Sequence, residues 1–150
     1  MRLLVVAASL FAFAVASAHA DPIGTRRLVF AQRLTAGGAG FIDLASLHNV
    51  GDHKEGEALL VSRTAGPGQL SHILAQVAFD CVHDRAEFLG GQGFDSDDRP
   101  LDRIDGGHES MGDLDTITRA LVCGGPGAPA NPRVFPTTAA AAEWARSGGT

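Results

Sequence analysis

The chain has 150 residues, a formal charge of −5, and 19% charged against 45% hydrophobic side chains. That length allows one domain with a modest core, for which a covalent staple is useful. An acidic balance without a basic stripe excludes an electrostatic nucleic-acid binder.

Residues 1–20, MRLLVVAASLFAFAVASAHA, read as a secretory signal peptide. Arg2 precedes an apolar run from Leu3 to Val15, and Ala18-His19-Ala20 offers a cleavage site before Asp21. The run is shorter than the ~20 residues of a spanning helix, and no Cys stands at the cleavage point to take a lipid. The expectation is a periplasmic or secreted protein with no membrane span after cleavage. Losing Arg2 leaves 11 basic against 17 acidic residues, a charge of −6. One Lys, Lys54, beside many Arg, Ala and Gly fits a GC-rich bacterial genome.

In chain order, RRLVFAQR (26–33) alternates and predicts a strand; TAGGAG (35–40) predicts a turn. FIDLASL (41–47) predicts a second strand with Ile42 and Leu44 on one side. HNVGDHKEGE (48–57) is polar and glycine-punctuated, hence a turn or loop. ALLVSRT (58–64) predicts a third strand, ended by AGPGQ (65–69). LSHILAQVAFDCV (70–82) is the longest strand candidate, with Ile73, Ala75, Val77, Phe79 and Cys81 facing inward. AEFLGGQGF (86–94) predicts its hairpin partner. DSDDRPLDRIDGG (95–107) reads as an acidic turn with a short strand over Leu101–Ile104. In SMGDLDTITRALV the period changes: Leu114, Ile117 and Leu121 form a helical stripe. This predicts a helix over Ser110–Val122, capped by Ser110 with Asp113 three residues on, and Cys123 turning back at its C-terminal end. Residues 125–136 are Gly/Pro-rich and read as a linker. Residues 137–150 carry an Ala-rich helical tail after a Thr cap, one that needs Trp144 to dock if it is to be ordered. The predicted organisation is therefore signal peptide 1–20, a stapled domain 21–124, linker 125–136 and tail 137–150. Several short strands between turns favour an α+β fold: an antiparallel sheet of five or six strands with a C-terminal helix.

Cys81 and Cys123 are the only cysteines, and export takes them into an oxidising space, so a disulfide between them is expected. The alternative, Cys81 as a nucleophile with His83 as base, needs an exposed thiolate, which an inward-facing position denies. Other candidates are weaker. His48, Asp52 and His53 share one polar stretch and form the best local metal-ligand cluster, but without a helical HExxH register. Asp95, Asp97, Asp98 and Asp102 lack the spacing of a calcium loop. Asp80 and Asp84 flank the Cys81 strand as a conceivable acid–base pair. Ser110 and His108 do not complete a triad. Asp43 sits inside an apolar run and reads as structural.

One likeness covers about residues 26–124. The strand with Ile42, Asp43, Leu44 and Ser46 (an IDL-S pattern), the Asp80-Cys81 strand with its hairpin, and the helix ending in Val122-Cys123 resemble the surface-adhesin protein E family. The resemblance implies an antiparallel sheet with a terminal helix held on one face by a disulfide, no catalytic residues, no cofactor and a binding function in the envelope. It leaves the macromolecular partner and the oligomeric state open. The competing expectations are an exported metal-assisted hydrolase using His48, Asp52 and His53, and a periplasmic inhibitor of a secreted protein.

Overall fold

A computed structural model of the chain describes residues 26–35 and 37–149. The expected signal peptide and its cleavage site lie outside the described residues. Eight strands form one antiparallel sheet, joined by two helices. The strands are β1 (Leu28–Arg33), β2 (Gly38–Asp43), β3 (His48–Val50), β4 (His53–Ser62), β5 (His72–Asp80), β6 (Arg85–Phe94), β7 (Pro100–Asp113) and β8 (Val134–Phe135). Helix α1 spans Thr116–Cys123 and α2 spans Thr138–Arg146. The order across the sheet is β7-β6-β5-β4-β2-β1-β8, with β3 pairing the first residues of β4.

The α+β class and the antiparallel sheet agree with expectation; the strand number exceeds it for identifiable reasons. Residues 48–57 are not a loop. They form the β3–β4 hairpin, in which Val50 faces His53 across the two residues Gly51 and Asp52. Gly51 takes φ +59°, the left-handed conformation that a two-residue hairpin loop reserves for glycine. Residues 38–40, expected as turn, open β2 instead, and β2 ends at Asp43. Residues 100–113 form one edge strand, β7, where a short strand and then a helix were expected. Ser110 is consequently no helix cap: it lies in β7 opposite Glu87. The cap is Asp115, whose carboxylate accepts from the backbone N–H groups of Ile117 and Thr118 at 2.9 and 3.1 Å. Because the helix starts later than expected, Leu114 precedes it and Cys123 stays in its last turn.

Consecutive residues of the middle strands point to opposite faces, and here both faces are apolar. Leu28, Ala39, Phe41, Leu59 and Val61 pack with Phe135 and with Ala141, Ala142 and Ala145 of α2. Ala31, Ile42, Ala58, Ala75, Val77, Phe79 and Ala86 pack with Val122 of α1. The two helices therefore cover opposite faces. The inward set expected for β5 is the α1 face, as Ala75, Val77 and Phe79 show.

Three features hold α1. Its start is tied by the Leu114 N–H donating to the Asp84 carbonyl at 2.7 Å, with an Arg119–Asp84 ion pair alongside. Its end receives the Lys54 ammonium, which donates to the Val122 carbonyl at 2.7 Å and suits the negative end of the helix dipole. Finally Cys81, just past β5, is bonded to Cys123 across 42 residues of chain.

The segments beyond Cys123 pack onto the same body. The stretch read as a linker contains β8, which pairs with β1 through Phe135–Leu28 and Val134–Val29. Helix α2 is capped by Thr137, whose hydroxyl accepts from the Ala140 N–H. Trp144 docks among Phe30, Phe41 and Phe135 at ring separations of 5.2, 5.8 and 5.4 Å. Arg33 and Arg133 lie over its indole.

Closing a loop of this length gives a disulfide contribution of about 4 kcal/mol in the chain-entropy account. Cys81→Ser and Cys123→Ser should each lower urea stability by roughly that amount, and the double variant should lose little more, since both single changes remove one bond. Trp144→Ala should cost about 3–5 kcal/mol in the same assay. Trp144→Phe should cost clearly less, because the buried indole N–H has no acceptor among the described residues and only ring volume is lost.

Candidate functional site

The IDL-S pattern proves to be a latch. Asp43 is buried, and its carboxylate accepts from the Arg27 and Ala45 backbone N–H groups at 2.9 and 3.0 Å and from the Arg26 guanidinium at 3.2 Å. The Ser46 hydroxyl donates to the Asp43 carbonyl at 2.8 Å and accepts from the Glu57 N–H at 2.7 Å. Asp43 thus fastens the strand entry, and Ser46 ties the end of β2 to β4. Apart from the Arg26 contact, each of these bonds engages backbone, so the motif is architecture.

The expected metal-ligand trio is split. The His48 imidazole bonds the Ser46 carbonyl at 3.0 Å. His53 turns the other way, with Nδ1 3.3 Å from Asp52 and Nε2 3.1 Å from Glu55. Carboxylates at both ring nitrogens favour the doubly protonated ring, so Glu55 first and Asp52 second raise its pKa above 6.5. Asp52 and His53 do share a shallow hollow with Asp80, Glu87 and His108. There, however, the two imidazoles have separate carboxylates, His53 with Asp52 and Glu55 and His108 with Glu87 at 3.1 Å, while Asp80 is engaged by His83 at 2.7 Å. Among the described residues no three His, Cys, Asp or Glu side chains converge to hold a metal ion.

The remaining acidic candidates cap turns. Asp80 accepts from the backbone N–H groups of Val82 and His83, both at 2.9 Å. The N–H of His83 is the main cause holding its pKa below 3.8. Asp84, the other half of the conceivable acid–base pair, faces Arg119. Asp95 is buried and accepts from Asp97 and Arg99 N–H groups at 2.9 Å; the Arg99 N–H is the main cause lowering its pKa. It closes the β6–β7 hairpin in place of holding calcium. His83 hydrogen-bonds within the turn after β5, and Cys81 is oxidised, so no Cys–His pair exists there.

Sequence reasoning missed two features. One is His72, only 4% exposed, stacked on Phe94 with ring centroids 5.0 Å apart. Its Nε2 lies 3.5 Å from Asp98, and its Nδ1 has no partner among the described residues. Burial comes first in pushing its pKa below 6.5, and the Arg146 charge adds to it. The other is β7. Its outer edge faces no strand among the described residues, and 11 of its 14 residues are exposed. The opposite edge of the sheet is the two-residue strand β8. Leu70, Leu101 and Ile104 line an open groove beside β7. An unpaired edge displays a row of N–H and C=O groups that can accept another strand.

The chain matches no family model, no curated protein and no solved structure. Among the described residues no helix is long and apolar enough to cross a membrane. The disulfide is compatible with an exported protein.

His72 sets the sign of one pH effect. Its folded pKa is lowered, so as pH falls below about 6.5 the unfolded chain takes up a proton that the folded one refuses, and stability drops until the folded pKa is passed. His53, with its raised pKa, acts in the opposite direction, so the test is a difference. Between about pH 7 and pH 5 the wild type should lose more stability than His72→Phe, which keeps the stack on Phe94. Parallel melting-temperature profiles of the two proteins would contradict this assignment.

Proposed function

We propose that this protein is an exported, non-enzymatic binding protein of the bacterial envelope or exterior, similar in kind to the surface-adhesin protein E family, which meets a macromolecular partner by strand addition at β7. The observation that carries the reading is the contrast between the sheet's two edges. One ends in the two-residue β8, whose Phe135 packs against α2, while the other runs over Pro100–Asp113 beside an apolar groove. Strand addition draws affinity from main-chain hydrogen bonds and specificity from side-chain pockets along the edge. The carboxylates and imidazoles point the same way. Asp43, Asp80, Asp95 and Asp115 serve backbone N–H groups, and His53, His83 and His108 contact separate carboxylates. A hydrolase at His48, Asp52 and His53 needs convergence, and His48 is bonded elsewhere. Inhibition of a secreted protein is a binding function and would use the same edge.

The test is affinity capture from the native envelope with the exported chain as bait. A partner held by the wild type should be lost by the Leu101→Lys/Ile104→Lys variant, whose fold is checked by circular dichroism, because edge lysines block strand addition. Equal capture by both baits would overturn the edge reading. Stoichiometric zinc in the purified protein, lost on His48→Ala and His53→Ala, would favour the hydrolase.

A further inference from the structure

The open edge carries a pattern that complements itself. The strand β7 pairs with β6 through Gln92–Arg103, Gly91–Ile104 and Gly90–Asp105. In turn Gly91 faces Ala75, which packs on the α1 side of the sheet. Ile104 therefore lies on the α1 side, and Arg103 and Asp105 lie on the other, one residue to each side of it. Two identical strands meeting antiparallel about a two-fold axis place residue i opposite a residue the same distance beyond the axis. With the axis at Ile104, Arg103 of each copy faces Asp105 of the other, on the same sheet face. The arrangement makes two opposite-charge pairs flanking an Ile104–Ile104 contact. Moving the axis to 103 sets Arg103 against itself, and moving it to 105 sets Asp105 against itself. Of these three registers charge favours the one about Ile104, since like charges directly opposite destabilise a strand pair.

The surroundings fit that register. Leu70, 44% exposed, lies with Leu101 and Ile104 along the groove, and the two-fold axis would bring both copies' apolar residues into one seam. The bulge at Gly106 and Gly107, followed by His108 at φ +57°, ends the regular stretch and limits the pairing to a short segment. A short paired segment suits a reversible association.

We infer that β7 binds a second copy of this chain, edge to edge and antiparallel about Ile104, joining two sheets into one through paired Arg103–Asp105 contacts. The inference rests on the reading of β7 as the binding edge and names its occupant.

Sedimentation velocity of the exported chain over a rising concentration series tests it. The wild type should form a dimer. Arg103→Asp and Asp105→Arg each turn two attractive pairs into two repulsive ones and should weaken the dimer at least about tenfold. An equimolar mixture of the two variants should recover association, because both acidic side chains of one variant then face basic side chains of the other. The double variant Arg103→Asp/Asp105→Arg should recover it as well, since exchanging the two charges preserves both attractive pairs. A wild type that stays monomeric throughout, a dimer indifferent to the single changes, or a mixture that stays dissociated would each overturn the inference. A monomer whose envelope capture is still abolished by Leu101→Lys/Ile104→Lys would overturn the second-copy occupant alone and leave the edge reading standing.

Discussion

The middle of this sheet is apolar on both sides, and the rest of the structure answers that constraint. Phe41 and Ile42, or Ala58 and Leu59, are neighbours in sequence and belong to different cores. A sheet of that kind cannot leave either face to water. One face is covered by α2, whose attachment is broad: alanines at the helix surface, Trp144 among three phenylalanines, and β8 extending the sheet beneath it. The other is covered by α1, an eight-residue helix too short to be stable alone. It is fixed at discrete points instead: the Asp115 cap, the Asp84 contacts, the Lys54 bond and the Cys81–Cys123 bridge. The covalent link stands at the end of the helix that has the least surface to contribute.

The same economy explains the chemistry on display. Turns in a small domain consume carboxylates. Asp43 closes the strand entry, Asp80 the β5–β6 turn, Asp95 the β6–β7 turn and Asp115 the helix start. Each carries the chemistry of an acid, base or ligand, and each accepts from backbone N–H donors. His83 and His108 meet Asp80 and Glu87, and His53 meets both Asp52 and Glu55. Among the described residues the outer row of β7 faces no strand. The proposed recognition by strand addition would use that row.

Legibility from sequence tracked burial. The alternation of Ile73, Ala75, Val77 and Phe79 made β5 readable because one face of it is core. The Cys81–Cys123 bond followed from counting and from the expected compartment, and α2 from its cap and composition. Strand β7 was unreadable by periodicity because both its faces are largely wet, so DRIDGGHES carries no apolar period to detect. A better signal existed at Gly51-Asp52, a two-residue hairpin loop between polar strands, overlooked because polarity alone suggested a loop. The late helix start had a signal too. Asp115 followed by Thr116 is as good a cap as Ser110, and a stripe counted from Leu114 included a residue that precedes the helix. Buried His72 left no trace in sequence, since its position depends on Phe94 and Arg146, which are distant along the chain.

The claim that one face of the sheet hangs on point attachments and the other on broad packing is open to direct measurement by backbone hydrogen exchange with and without reductant. With the bridge reduced under native conditions, amides of Thr116–Cys123 and of the β5 end near Asp80 should lose protection first. Those of α2 and of its partners in β1 and β2 should keep theirs. Uniform loss across both helices, or unchanged protection in α1, would contradict this account.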